Sequence, residues 1–251
     1  MLDLWLYPAL TAVAVLTGFI DSIAGGGGLI MMPALLSAGL PPHMALGTNK
    51  LQSVFGTMMA LRNYRHGGFI AIRPNLPTAA VVFAGAGAGA VVVSALESDA
   101  LRLVVPLLLL MVALYVVFSA RMDDDDAHER IGATGYAPLA ASIGFYDGFF
   151  GPGTGTFFTA SLVGLRGYGL TRATASAKLF NATSNLASIL VFALGGKVIW
   201  LLGGCMAVGA MAGSWLGSRS AMRHGARLIR PLLVASSLAL TARLTWNWYT
   251  G

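Results

Sequence analysis

Charge is what this 251-residue sequence has least of. Acidic and basic residues together make up 10% of it, against about a quarter in soluble domains. That shortage excludes an ordinary water-facing surface. An apolar content of 56% and a mean hydropathy of +0.73 fit a lipid environment instead. The single cysteine, Cys205, lies in an apolar run; it excludes an intrachain disulfide and carries no information on compartment. No Lys or Arg precedes the first apolar run, so the basic region of a signal peptide is missing and Leu4 to Ile20 is expected to be a retained span. The net charge of +6 sits in short patches between apolar runs, as in cytoplasmic loops, and forms no basic face for nucleic acid. His43, His66 and His224 fall at loop positions without metal-ligand spacing, and no serine or cysteine nucleophile motif occurs. No metal, cofactor or enzymatic activity is expected.

What the chain does have is an internal duplication. Gly18 to Leu29 reads GFIDSIAGGGGL, an apolar helix end holding Asp21 and then broken by Gly25, Gly26, Gly27 and Gly28. A second copy, GFYDGFFGPGTGT, starts at Gly144, 126 residues later, and places Asp147, Gly151, Gly153, Thr154 and Gly155 correspondingly. The expected order in each half is a span, a glycine break, a short apolar piece, a polar-striped helix, a glycine-rich span and a last span. In the first half these are Leu4 to Ala24, Leu29 to Leu40, Ala45 to Leu61, Pro77 to Leu96 and Leu101 to Ala120. The second half gives Ala137 to Phe150, Thr156 to Leu165, Ala173 to Leu194, Val198 to Leu216 and Leu228 to Trp246. Pro33 and the Pro41–Pro42 pair are expected to limit the first short piece, which is a half-helix, re-entrant piece or short span. The polar segment Arg121 to Arg130, with Asp123 to Asp126, is expected to be a solvated linker. This divides the chain into repeats 1–120 and 133–251 around a linker at 121–132.

Loop charges relate the halves. Residues 61–73 carry three arginines and no acid, and the matching second-half loop only Lys197; residues 96–102 carry Glu97, Asp99 and Arg102, and their counterpart Arg219, Arg223, Arg227 and Arg230. By the positive-inside rule the copies then have opposite orientations, the plan of many secondary transporters. Five short or broken segments per half, with both termini outside, agree with this pattern. Eight crossings with re-entrant short pieces do not. The expected fold is an all-α, polytopic membrane protein of two inverted repeats. A Gly/Ala-rich face serves equally a homodimer or internal packing.

Lys50 and Lys178 occupy equivalent places in the two halves. Lys50 is followed by Ser53 and Thr57, and Lys178 by Asn181 and Asn185, each set at i, i+3 and i+7 on one helix face. Thr48 and Asn49, with Ser176 in the copy, extend the polar patch. A cation with several donors suits a small oxyanion, and the glycine breaks add backbone N–H groups and helix N-termini. The lysines would alternatively snorkel to headgroups. Asp21 and Asp147 are acids inside the apolar spans. They would relay a coupled proton or sodium, partner the lysines, or cap the broken helices. A carrier, a passive anion channel and an intramembrane enzyme on lipid phosphates are all compatible with paired polar rings in a bilayer. The third would need an acid or Ser/His pair near the lysines.

The segments GFIDSIAGGGGLIMMPALLSAGLPPHMALGTNKLQS (Gly18 to Ser53), GFYDGFFGPGTGTFF (Gly144 to Phe158), ATASAKLFNATSN (Ala173 to Asn185) and GGKVIW (Gly195 to Trp200) resemble the TauE/SafE sulfite exporter family, also called TSUP, in its YfcA-type branch. The resemblance implies a multi-pass inner-membrane transporter of small anions such as sulfite or organosulfonates. Its features fall on Gly25 to Gly28, Pro33 and Thr48 to Lys50, then on Gly151 to Gly155, Lys178, Asn181 and Asn185. The second copy departs at Thr159, where the first has Pro33.

Overall fold

A computed structural model describes residues 3–96, 125–126, 128–225 and 227–228. All regular structure among the described residues is helical. The order is α1 (Leu6–Ala24), α2 (Gly27–Ser37), α3 (Pro42–His66), a 3-10 turn at Arg73–Asn75, α4 (Leu76–Ala95), α5 (Ala133–Phe149), α6 (Thr154–Arg166), α7 (Leu170–Leu194) and α8 (Trp200–His224). Leu101 to Ala120, and Leu228 to Trp246 beyond its first residue, lie outside the described residues. Helix α1, the stretch Arg73–Ala95, α7 and α8 are long and apolar enough to cross a membrane. Part of their apolar surface faces outward, as with Leu190, Leu194, Leu201 and Val208, while Lys50 and Lys178 are each 1% exposed. The protein is an all-α, polytopic membrane protein.

Several local expectations need correction. Only Gly25 and Gly26 leave the helical conformation in the first break. Gly27 and Gly28 form the first turn of α2, because nothing in a glycine opposes helical dihedrals once the chain has turned. Pro33 does not limit the short piece but lies inside α2, which ends at Ser37, before Gly39 with φ +84°. Pro42 opens α3 at its first position, where a missing N–H costs no hydrogen bond. His43, His66 and His224 lie in the ends of α3 and α8 rather than in loops. From the acidic segment, Asp126 accepts a hydrogen bond from the Gly169 N–H and pairs with Arg172, each at 2.6 Å, at the start of α7. The Gly169 bond, reinforced by Arg172, holds its carboxyl below the usual carboxylate range.

The halves are interleaved rather than side by side. Helix α1 packs on α8, and α4 packs on α5. Gly209, Gly213 and Gly217 of α8 lie against the carbonyls of Thr11, Val15 and Phe19 of α1, advancing together, so these helices are parallel. Gly85 and Gly89 of α4 meet Ala141 and Phe145 of α5 in the same way. Small residues every fourth position let two backbones touch, which is how helices associate strongly in lipid. Helix α3 runs parallel to α8, from Gly47 beside Lys197 to Asn63 bonded to Ser218 at 2.8 Å. Helix α7 runs the other way, since its C-terminal Phe192 meets Gly47 near the start of α3. Thus α1 and α3 point opposite to their counterparts α5 and α7, and the two repeats are inverted. Two mixed bundles result: α1, α3 and α8, and α5, α7 and α4.

The Gly/Ala stripe of α4 is therefore used inside the molecule at two of its three glycines. Gly87 faces open space, whereas a Cβ at Gly89 would overlap the Phe145 carbonyl. Gly87→Ala is expected to leave the melting temperature in detergent unchanged or raise it, by up to about 1 kcal/mol of helix propensity. Gly89→Ala is expected to lower it by overpacking, about 1–3 kcal/mol. Thermal unfolding of the two variants measured together checks the assignment.

The charged ends follow. Asn63 and Gly67 at the end of α3 meet Ser218 and Met222 at the end of α8. Arg62, Arg65, Arg219 and Arg223 thus share one end of the molecule, as the loop charges predict, and Arg219 stacks over Trp215 at 3.9 Å. Lys197 lies at the opposite end and donates to the Ser94 carbonyl at 2.6 Å.

Candidate functional site

The two glycine breaks cross at the centre. A Cβ on Gly25, which has φ +76°, would stand 2.5 Å from the backbone of Gly155, so the chains touch where only hydrogens intervene. Thr156 secures the crossing by donating to the Ala24 carbonyl at 2.9 Å. Gly26 and Gly153 precede α2 and α6 without a side-chain cap, so the first N–H groups of both helices take no side-chain partner.

Each lysine reaches the broken helix of the other repeat. Lys50 Nζ donates to Asp147 Oδ1 at 2.6 Å and to the Asp147 carbonyl. Lys178 does the same to Asp21, with Oδ2 at 3.1 Å and the Asp21 carbonyl as acceptors. Each ammonium therefore serves a carboxylate and the same residue's carbonyl near the negative end of a helix. Both lysines are buried, which overturns the snorkelling reading. The capping reading of the aspartates gives way to pairing with lysine.

The pairs join the two bundles, Lys50 on α3 to Asp147 on α5 and Lys178 on α7 to Asp21 on α1. They are not equivalent. Asp147 is 3% exposed and takes a second hydrogen bond from Ser184, while the side chain of Asp21 is 25% exposed. At the place of Ser184 the first repeat has Gly56, which offers no hydroxyl.

Around the pairs lies a polar cavity of about 30 Å³. Most residues singled out in the sequence line it: Asp21, Gly25, Gly28, Asn49, Lys50, Ser53, Thr57, Asp147, Gly151, Thr154, Gly155, Asn181 and Asn185. Both helix faces spaced i, i+3, i+7 turn toward it, although Lys178 itself reaches Asp21 from beside it. Thr48 does not, because its hydroxyl accepts the Ile199 N–H at 3.1 Å and fixes the start of α8. Gly26, Gly27 and Gly153 shape the breaks without lining the cavity, and Gly27 packs on Thr17 and Asp21. Ser184, Thr156 and Gln52 escaped the sequence reading. Ser184 is three residues beyond Asn181 on the same face and was within reach of that periodicity; the other two are placed only by packing. A larger cavity of about 370 Å³ opens where loop 68–75 meets the start of α7, with Arg172 and Ser176 on its wall.

Comparison with known proteins agrees with this architecture. The profile of the family described as "Sulfite exporter TauE/SafE" matches residues 10–244. The "Probable membrane transporter protein ORF9" of Sinorhizobium sp is 45% identical over 94% of this chain and 90% of its own length. The "Probable membrane transporter protein YfcA" of Escherichia coli (strain K12) is 42% identical over 94% of this chain and 88% of its own. A "Probable membrane transporter protein" of Haemophilus influenzae is 39% identical over 96% and 95%. No solved structure matches.

Proposed function

The chain belongs to the TauE/SafE sulfite exporter family and is a multi-pass membrane transporter rather than an enzyme, and from that premise we propose that it exports a small sulfur oxyanion or organosulfonate across the bacterial inner membrane by alternating access. The observation that carries this is the pair of buried lysines, one from each inverted repeat, beside hydrogen-bonding side chains at the crossing of two helix breaks. An oxyanion stripped of water needs that combination of cations and donors. Asn49, Ser53, Thr57, Thr154, Asn181 and Asn185, with the backbone of Gly25 to Gly28 and Gly151 to Gly155, would complete its shell. By the positive-inside rule the arginine-rich end faces the cytoplasm, and the cavity beside Arg172 and Ser176 opens at that end.

In this conformation both lysines are already neutralised, each by the aspartate of the other repeat. The anion must therefore take the lysines from Asp147 and Asp21. In doing so it loosens two ion pairs between the mixed bundles, which also pack directly through α3 and α7. The rocking bodies would be those bundles rather than the sequence repeats 1–120 and 133–251, because each bundle contains helices from both. A pore would conduct without such a ligand-dependent release. Energy would come from the membrane potential or from a cation or proton acting at the freed carboxylates.

Thermal unfolding of the purified protein with sulfite, sulfate, thiosulfate and several sulfonates tests the reading. One anion class is expected to raise the melting temperature, as a ligand of the native state does. That shift should vanish in the Lys50→Ala/Lys178→Ala variant compared with its own ligand-free state. A shift of equal size in the variant would remove the lysines from the binding site.

A further inference from the structure

Beside the central cavity lies a second one, of about 20 Å³, bounded by α1, α3 and α8 behind Asp21. Most of its polar side chains turn lone pairs toward it. Thr17, Thr57 and Ser214 spend their hydroxyl protons on the carbonyls of Ala14, Ser53 and Gly18. Gln52, 4% exposed, donates its amide nitrogen to Asn49 Oδ1 at 2.9 Å. Its carbonyl Oε1 is left buried without a partner among the described residues, a position that costs free energy unless something fills it. Asp21 adds a carboxylate held by Lys178 on one side.

The other repeat has no such place. Under the internal duplication Thr17, Gln52 and Ser214 correspond to Ile143, Phe180 and Ala86, all buried and apolar. Gly56 corresponds to Ser184, whose hydroxyl donates to Asp147. The arrangement is thus symmetric for the lysines and aspartates and one-sided for this ring of oxygens. Packing alone would be served on both sides by the apolar version.

We propose that this cavity binds one sodium ion, held by Asp21, Gln52, Thr17 and Ser214, and that sodium releases Lys178 to the transported anion. Carboxylate and neutral oxygens are the ligands hard cations choose, and broken-helix ends are where transporters place them. Sodium and the Lys178 ammonium compete for one carboxylate. When sodium binds the carboxylate, Lys178 keeps the Asp21 carbonyl but loses most of its counter-charge until an anion arrives. The two ligands therefore bind each other's complex more tightly than the free protein, by the same factor in either order. Only this coupling rests on the anion reading; the cation site does not.

The test is thermal unfolding of the full chain in detergent with sodium chloride replaced stepwise by choline chloride, without any sulfur anion. Sodium at about ten times its dissociation constant is expected to raise the melting temperature by about 3–6 °C over choline. Gln52→Leu and Ser214→Ala should each lose that rise, while Phe180→Leu, in the other repeat, should keep it. Equal melting temperatures in sodium and choline for the native protein overturn the site, whatever the variants do. With sulfite or the responding anion added, sodium should tighten binding by about 5–150-fold. Anion binding indifferent to sodium overturns the coupling. A sodium response with no anion response keeps the site and removes the anion reading instead.

Discussion

Replacing Lys50 by methionine is expected to destabilise the protein by about 3–5 kcal/mol, because it strands the buried Asp147 carboxylate without its cation. At the scale of a chain this long the loss appears as a fall in melting temperature of about 6–20 °C. The companion variant Lys50→Met/Asp147→Asn removes both charges and should recover most of it, since uncharged groups of similar shape replace a buried pair at little cost. Lys178→Met is expected to fall less, because Asp21 keeps a quarter of its side-chain surface exposed and water can solvate the freed charge. Thermal unfolding of the three variants in detergent decides the point. Equal losses for Lys50→Met and Lys178→Met would mean that the two pairs share one environment. The result bears on transport as well. A tie of this strength between the bundles, α3 to α5 and α7 to α1, helps keep them together until an anion offers the lysines an equivalent partner.

Substituting Gly25 by alanine should be nearly as damaging, for backbone reasons alone. Its φ of +76° costs an L-residue about 1–2 kcal/mol. The new Cβ would also press on the Gly155 backbone from 2.5 Å, and overpacking of this kind adds about 1–3 kcal/mol. The breaks would separate, and with them the carbonyls and carboxylates that meet the lysines, so anion uptake into vesicles should be lost along with stability. Gly28→Ala is the control for stability. Its Cβ would meet Pro152 at 3.1 Å, a contact that a small shift relieves, and the residue is already helical. If Gly25→Ala kept both its melting temperature and its uptake, the breaks would not cross this closely in the working protein.

The residues that matter here were visible because they are local and repeated. A scarcity of charge with long apolar runs decides for a bilayer. The duplication marks Asp21 with Asp147 and Lys50 with Lys178. Helical periodicity puts Ser53 and Thr57, Asn181 and Asn185 on the same faces as the lysines. The loop charges already imply inversion, and Arg62 and Arg219 do share one end. None of this says which groups meet. Lys50 and Asp147 are 97 residues apart, and Lys178 and Asp21 157 apart. Nothing in the spacing of either half tells a pair within a repeat from a pair across repeats. That choice follows from backbones brought into contact at Gly213 and Gly89, which interleave the halves and carry each lysine to the opposite break. Gln52 and Ser214 lie on different helices and become neighbours only through that packing. Periodicity reads one helix at a time, whereas the ion pairs and the oxygen-lined cavity are properties of helix contacts, which form wherever small residues allow two backbones to close.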